Sequence, residues 1–160
     1  MKVIDQASIA ETAAKAAASP RKRGHYLLHE PEDRVQRILQ VALHGTYYPP
    51  HVHTEKLEFF TAINGRLAVA TFDDEGTVND VVVLEHGNIE YAQIVPGTWH
   101  SVVVLGDQAA FVEVIDGFYQ PMTHKEFASW APAEDDPEAA AYLEAMAAEI
   151  QAYIAAHPAA

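Results

Sequence analysis

The stretch that decides the fold is GTYYPPHVHTEKLEFFTAING, residues 45–65. It carries His51 and His53 two positions apart, and Glu58 five positions after the second histidine. Because side chains at positions i and i+2 of a strand project from the same face, both imidazoles can point into one cavity. Glu58 can add a carboxylate oxygen from the neighbouring turn or strand start. The stretch therefore predicts a metal-binding clamp built on β structure.

A third imidazole is available in VPGTWHSVVVL, residues 95–105, where His100 follows a Pro-Gly turn and leads into an apolar run. The chain contains no cysteine, so a metal ion must be held by imidazole and carboxylate groups. We predict one divalent transition metal ion bound by His51, His53, Glu58 and His100. Three neutral imidazoles and one carboxylate suit Fe, Mn, Ni, Co or Zn. An octahedral ion would keep two positions open for catalysis, whereas a tetrahedral zinc would be closed and structural.

Five further histidines lack this spacing, and we predict that they are structural or exposed to solvent. They are His25, His29, His86, His124 and His157.

Apolar runs separated by turn residues fill the middle of the chain. They cover residues 34–43, 59–72, 81–84, 91–95, 101–105 and 111–115. Asn64 and Gly65 both tolerate positive φ, which predicts a two-residue β-hairpin at this point. No helical pattern separates the runs, so we expect a sandwich or barrel rather than a parallel sheet with crossover helices.

Helical patterns are found at the two ends of the chain. Residues 7–18 are alanine-rich, and Ser19-Pro20 ends this leading helix. After Asp136-Pro137, apolar residues recur three or four positions apart and predict a longer amphipathic helix. We therefore divide one domain into an N-terminal helix and loop arm at 1–33, a barrel at 34–133 and an acidic alanine-rich helix at 134–160. The last helix can pack on its own barrel or at a subunit interface.

Length and charge restrict the partners. The 160 residues fit one domain, and the formal net charge of −13 would repel the phosphate backbone of nucleic acids. The start of the chain lacks the apolar run of a signal peptide, and no stretch approaches the roughly 20 apolar residues of a membrane span. We expect a cytoplasmic protein with a small-molecule ligand and no membrane partner, and leave a homodimer open.

Both histidine motifs resemble those of the cupin superfamily. Gly45, His51, His53, Glu58 and Gly65 match the spacing of the first cupin motif. PGTWH at 96–100 resembles the second, although its proline is displaced by one position. The resemblance implies an all-β core in the form of a single-domain cupin double-stranded β-helix, or jelly-roll barrel. We add to it a short N-terminal helix and a longer C-terminal helix.

Further segments are similar to the WbuC family of cupin-fold metalloproteins, named from bacterial O-antigen gene clusters. They include SPRKR at 19–23, FDDEGTV at 72–78 and KEFASWAP at 125–132. This resemblance implies the same four metal ligands and an activity connected with surface polysaccharide or sugar metabolism. The chain has Val52 and Ile115 where that family tends to carry Arg and Lys. The loss of two cations argues against an anionic substrate unless Arg37 or the basic segment 21–23 compensates.

The sequence leaves the function open between an enzyme and a binding module. A metal-dependent enzyme, of oxygenase or sugar isomerase type, would act on a small polar molecule such as a carbohydrate. Its pocket wall has five candidates, although aromatic residues in a small barrel more often belong to the core. They are Arg37, Tyr48, Trp99, Glu113 and Tyr119.

The alternative is a non-catalytic ligand-binding or sensing module, because no separate acid, base, nucleophile or cofactor motif is recognisable. A metal-independent sugar epimerase or isomerase is a third possibility, and it predicts that a His51→Ala variant stays active.

Overall fold

The computed structural model describes residues 1–120 and 125–158. In this part of the chain the elements follow in the order α1 (Gln6–Ala18), β1 (Arg23–Leu27), β2 (Val35–Leu43), β3 (His51–Val52), β4 (Glu58–Asn64), β5 (Arg66–Phe72), β6 (Val78–Glu85), β7 (Tyr91–Ile94), β8 (Trp99–Val104), β9 (Gln108–Asp116), β10 (Glu126–Phe127) and α2 (Ala139–Ala156).

The strands form two five-stranded sheets with antiparallel pairings. Sheet A has the order β1-β2-β9-β4-β7, and sheet B has the order β10-β3-β8-β5-β6. The apolar core between the sheets includes Phe60, Leu67, Leu84, Val102 and Phe111. Two facing sheets with a helix at each end of the chain confirm the predicted jelly-roll barrel and its two helices.

The hairpin predicted at Asn64-Gly65 is wrong. Strand β4 pairs with β7 and β9 in sheet A, while β5 pairs with β6 and β8 in sheet B, so the turn crosses from one sheet to the other. A two-residue hairpin of this kind needs positive φ at both central residues, but of the two only Gly65 has it, at 77°. A Cβ atom on Gly65 would lie 2.3 Å from the carbonyl oxygen of Gln108, which explains the glycine.

Helix α1 packs on the outer face of sheet A. Asp5 caps its N-terminus by accepting a hydrogen bond of 2.8 Å from the backbone N–H of Ser8. Ile9 is buried with Leu39 and Val41 of β2. The predicted loop after this helix is wrong in part, because β1 pairs with β2 along its whole length. The boundaries that we drew at residues 33 and 133 stay predictions.

Helix α2 packs on the outer face of its own sheet B. Met146 and Ile150 are buried in one cluster with Phe72 and Val103 of the barrel. The apolar stripe read from the sequence is thus covered in cis. Across residues 1–120 and 125–158, neither helix combines the length and the apolar character needed to span a bilayer.

Candidate metal centre

The four predicted ligands come from both sheets and meet between them. His51 on β3 lies directly opposite His100 on β8 in sheet B, while Glu58 begins β4 in sheet A. His53 follows β3, and its carbonyl oxygen accepts a hydrogen bond of 2.9 Å from the backbone N–H of Gly97. This bond joins the two sequence motifs, so residues far apart in the chain supply one site.

Each of the four side chains offers a ligand atom, and these atoms all lie within 4.8 Å of one another. The four residues are at most 6% exposed. One oxygen of Glu58, Oε2, lies 2.7 Å from Nε2 of His100 and 3.2 Å from Nε2 of His53. The structure therefore brings together the complete ligand set that the sequence proposed.

Backbone carbonyl groups fix the orientation of two of the imidazoles. Nδ1 of His51 lies 3.0 Å from the carbonyl oxygen of Pro49, and Nδ1 of His100 lies 2.8 Å from that of Thr98. A carbonyl oxygen can only accept a hydrogen bond, so each Nδ1 carries a proton and each Nε2 is the ring nitrogen that faces the cluster. Metal-binding histidines have this arrangement, with the distal nitrogen free to coordinate.

The electrostatics of the cluster favour a cation at its centre. Burial, followed by the charges of Lys125 and His100, holds the pKa of His51 well below its usual range. Burial alone would raise the pKa of Glu58, but its hydrogen bonds with His100 and His53 lower it well below the usual range. Nε2 of His100 and Oε2 of Glu58 lie only 2.7 Å apart, so their lone pairs would repel unless a proton or a metal ion lay between them. The cluster is consistent with a single metal ion.

A chain of polar groups continues from the cluster along the inner face of sheet A. Burial, and then the negative charge of Glu58, raise the pKa of Glu113 well above its usual range. The side-chain amide of Gln40 donates a hydrogen bond to Glu113. The hydroxyl of Tyr48 donates to the amide oxygen of Gln40 at 2.9 Å, and the guanidinium of Arg23 lies 4.6 Å from the centre of the Tyr48 ring. One side of the site is therefore lined by hydrogen-bonding groups.

The structure separates the five residues predicted for the pocket wall. Tyr48 and Glu113 belong to this polar lining. The prediction for Arg37 is wrong. The residue after it on β2 faces inward, so the side chain of Arg37 faces outward. There it forms an ion pair with Asp33.

Trp99 was also wrongly placed. It neighbours His100 on β8 and therefore faces the other side of sheet B, where its ring packs edge-on against Trp130 at 6.2 Å between centroids. Tyr119 is 52% exposed, and its assignment to the pocket stays a prediction.

The sequence reasoning missed Gln40, Lys125 and Phe127. Gln40 could have been found, since it is a polar residue on the inward-facing phase of an apolar strand. Lys125 and Phe127 reach the site through the pairing of β10 with β3, which no local pattern indicates.

The four described histidines that we predicted to be structural or exposed are not members of the cluster. His25, His86 and His157 are exposed, and His29 is half-buried. His124 lies outside the described residues.

A separate cavity of about 930 Å³ lies between sheet B and α2. Its wall includes Lys22, His44, Leu105 and Leu143 but none of the four clustered ligands. This cavity and the cluster of four residues are therefore two separate features of the fold.

Residues 4–84 match a family described as Domain of unknown function (DUF6016). The match spans just over half of the chain and includes His51, His53 and Glu58. The chain belongs to this family. The DUF6016 match ends before His100, so the remaining part of the barrel supplies the fourth residue of the cluster. No curated protein is significantly similar to the chain in sequence.

Solved structures of low sequence identity share the fold. CapF, a capsular polysaccharide assembling protein from Staphylococcus aureus, is 17% identical over 66% of this chain and 28% of CapF, with a TM-score of 0.53. The DUF6016 chain thus spans less than a third of CapF. A Klebsiella pneumoniae protein with a double-stranded β-helix domain is 18% identical over 81% of this chain and 98% of its own, with a TM-score of 0.59.

An oxalate oxidase in complex with the substrate analogue glycolate is 18% identical over 84% of this chain and 75% of its own, with a TM-score of 0.56. At these identities the similarities establish the cupin fold alone.

Proposed function

We propose that this DUF6016 chain is a metal-dependent cupin enzyme that binds one divalent transition metal ion and acts on a small polar molecule. The ligands are His51, His53, Glu58 and His100. The observation that carries the proposal is the convergence of three buried imidazoles and one carboxylate within 4.8 Å, with backbone carbonyls orienting two of the rings. The donor set suits Fe, Mn, Ni, Co or Zn.

A bound divalent ion would polarise a substrate oxygen or lower the pKa of a bound water molecule. The chain's own residues would bind and orient the substrate beside it. Gln40, Tyr48 and Glu113 offer amide, hydroxyl and carboxyl groups that already hydrogen-bond to one another. A substrate hydroxyl can replace one of these partners at little cost, because it both donates and accepts. The apolar half of the interior, which includes Phe60 and Phe111, excludes water from the opposite side.

The polar lining and the resemblance to the WbuC family support a carbohydrate or a polysaccharide-pathway molecule as the substrate. The fold similarity to CapF, described as a capsular polysaccharide assembling protein, motivates the same assays. Sugars present several hydroxyl groups, which match the donors and acceptors of Gln40, Tyr48 and Glu113.

Elemental analysis of the protein, purified without added metal, tests the binding step. We expect about one equivalent of a transition metal in the wild-type protein. A His51→Ala variant should lose metal affinity by at least about a hundredfold, since even partners behind the ligands contribute 10–100-fold. His86→Ala is the matched control, because His86 is exposed and pairs with Glu90. Equal metal content in both variants contradicts the assigned ligands.

Oxygen-consumption and sugar-substrate assays with Fe(II) or Zn(II) then test catalysis. Turnover that disappears with His51→Ala supports a metal-dependent enzyme. Full metal loading without turnover of any substrate favours a non-catalytic binding or sensing module. Turnover retained by His51→Ala favours a metal-independent epimerase or isomerase.

A further inference from the structure

Lys125 and Phe127 lie at the rim of the metal centre. Phe127 on β10 pairs directly with His51 on β3, and their ring centroids are 6.2 Å apart. Nζ of Lys125 lies 5.2 Å from the centroid of the Phe127 ring. Residues two positions apart along an extended chain project from the same face. Both side chains are therefore directed towards the side of sheet B that carries His51.

The rim residues face both the site and solvent. Phe127 is 55% exposed, and Lys125 is also exposed as a residue. The ammonium of Lys125 nevertheless interacts electrostatically with Glu113 and Glu58, and its positive charge lowers the pKa of His51. A ligand that approaches the metal centre past Phe127 would meet this cation.

The charge of Lys125 has no close partner in residues 1–120 and 125–158, where its ammonium forms a cation–π contact but no ion pair within 4 Å. Glu58 and Glu113 together carry at most two negative charges, fewer than the three positive charges of a divalent ion and the Lys125 ammonium. A divalent ion together with Lys125 would outweigh the Glu58 charge and leave the centre positive. This local excess of positive charge contrasts with the formal net charge of −13 for the whole chain.

We infer that Lys125 binds an anionic group of the ligand, so that the metal centre takes a small anion with one group at the metal ion and a second at Lys125. This inference rests on the proposed metal-dependent function and assigns its ligand class. It replaces the sequence-based argument against anions, which assumed that Val52 and Ile115 had removed the cations from the site. Lysine is suited to this role, since its flexible ammonium acts as a point charge for carboxylate or phosphate.

The test measures whether the metal-bound protein binds a ligand with two anionic groups more tightly than a ligand with one. The probes are malonate, succinate and glutarate, each compared with its monoamide, which keeps one carboxylate for the metal and replaces the other with a neutral amide. The series varies the separation of the two groups. Calorimetry with the full chain loaded with Co(II) gives both affinities, and their ratio removes the contribution of the carboxylate that both probes share.

The variants isolate the charge at residue 125. We expect at least one dicarboxylate to bind the wild-type protein about tenfold more tightly than its monoamide. This ratio should fall by about tenfold in Lys125→Met and in Lys125→Gln, and should be retained in Lys125→Arg. Lys15→Met is the matched control, because Lys15 pairs with Glu11 on α1, away from the site. Its ratio should equal that of the wild type.

Elemental analysis of each variant separates this inference from the proposed function. If every variant holds Co(II) but the ratio is unchanged without the charge at residue 125, the anion inference is overturned and the metal site stands. Absence of binding by all three dicarboxylates to metal-loaded wild type overturns it equally. If the wild type takes up no metal, the proposed function fails, and the inference fails with it.

Discussion

The two ends of the barrel interior carry opposite kinds of side chain, although the same strands build both. On β9, Phe111 and Glu113 are successive inward-facing residues, and the first is apolar and fully buried whereas the second carries a carboxyl group. On β8, the inward-facing position changes in the same way from Val102 to His100. Every second residue of each strand faces the barrel interior. Whether that residue lies at the apolar end or at the polar end depends on its position along the strand.

The two ends contribute to folding with opposite signs. Burial of apolar area at the Phe111 end stabilises the barrel by about 25 cal/mol per Å². The polar end removes Glu58 and three imidazoles from water, which costs free energy unless hydrogen bonds or a metal ion compensate. The apolar end therefore stabilises the fold, whereas the polar end costs free energy wherever hydrogen bonds or a metal ion do not compensate for its burial.

The largest expected effect is at the apolar end. Phe111→Ala removes a side chain with 0% exposure and leaves a cavity, so the free energy of unfolding should fall by about 4 kcal/mol. Urea denaturation measures this change. Phe118→Ala is the control, because Phe118 is 54% exposed and its substitution should change stability by less than about 0.5 kcal/mol. Similar losses in both variants would remove the distinction between the apolar end and the surface.

The turn at Gly65, which joins the sheets at the apolar end, should give the next largest effect. Gly65→Ala combines a positive φ of 77° with a contact of 2.3 Å between the new Cβ and the Gln108 carbonyl oxygen, so we expect a loss of about 3 kcal/mol. Gly87→Ala is the matched control, since Gly87 has a φ of 83° but open space around its Cβ position, and should lose about 1 kcal/mol. Equal losses in thermal or urea unfolding would show that the close packing at this turn is unimportant.

The sequence predicted what local spacing determines and missed what depends on distant pairing. His51, His53 and Glu58 lie within eight residues, so strand alternation and one short turn are sufficient to group them. Asn64-Gly65 also gives a clear local signal for a turn. The pairing of β5 with β8, however, places β5 in sheet B, and no local pattern indicates this pairing. Lys125 reaches the site through a two-residue strand that pairs with β3, a contact without a sequence signature.

Strand alternation also determines which of the candidate side chains face the barrel interior. Once His100 faces inward, its neighbour Trp99 must face outward. The same rule, applied to β2, turns Arg37 away from Gln40 and the barrel interior. The cluster of three histidines and Glu58 could thus be predicted from the spacing within two motifs, whereas the pocket wall required the phase of each strand as well.

The smallest expected effect is a gain in stability at the polar end, measured on the metal-free protein. Because the pKa of Glu113 is raised in the folded state, the folded protein keeps a proton above the usual pKa of 4.5 that the unfolded chain has released. The stabilisation from this proton is complete below pH 4.5 and is lost as the pH rises towards the folded pKa, by at most about 1.4 kcal/mol per pH unit. Glu113→Gln removes this dependence and keeps a side chain that can accept the hydrogen bond from Gln40.

We therefore expect the variant to become progressively more stable relative to the wild type as the pH rises above 4.5. Urea denaturation of both proteins at several pH values measures the difference, and Glu144→Gln on α2 serves as an exposed control with no such trend. A constant difference between Glu113→Gln and the wild type across this range would mean that Glu113 titrates normally. The carboxyl group would then not oppose folding, and the contrast between the two ends of the barrel would rest on His51, His53, Glu58 and His100 alone.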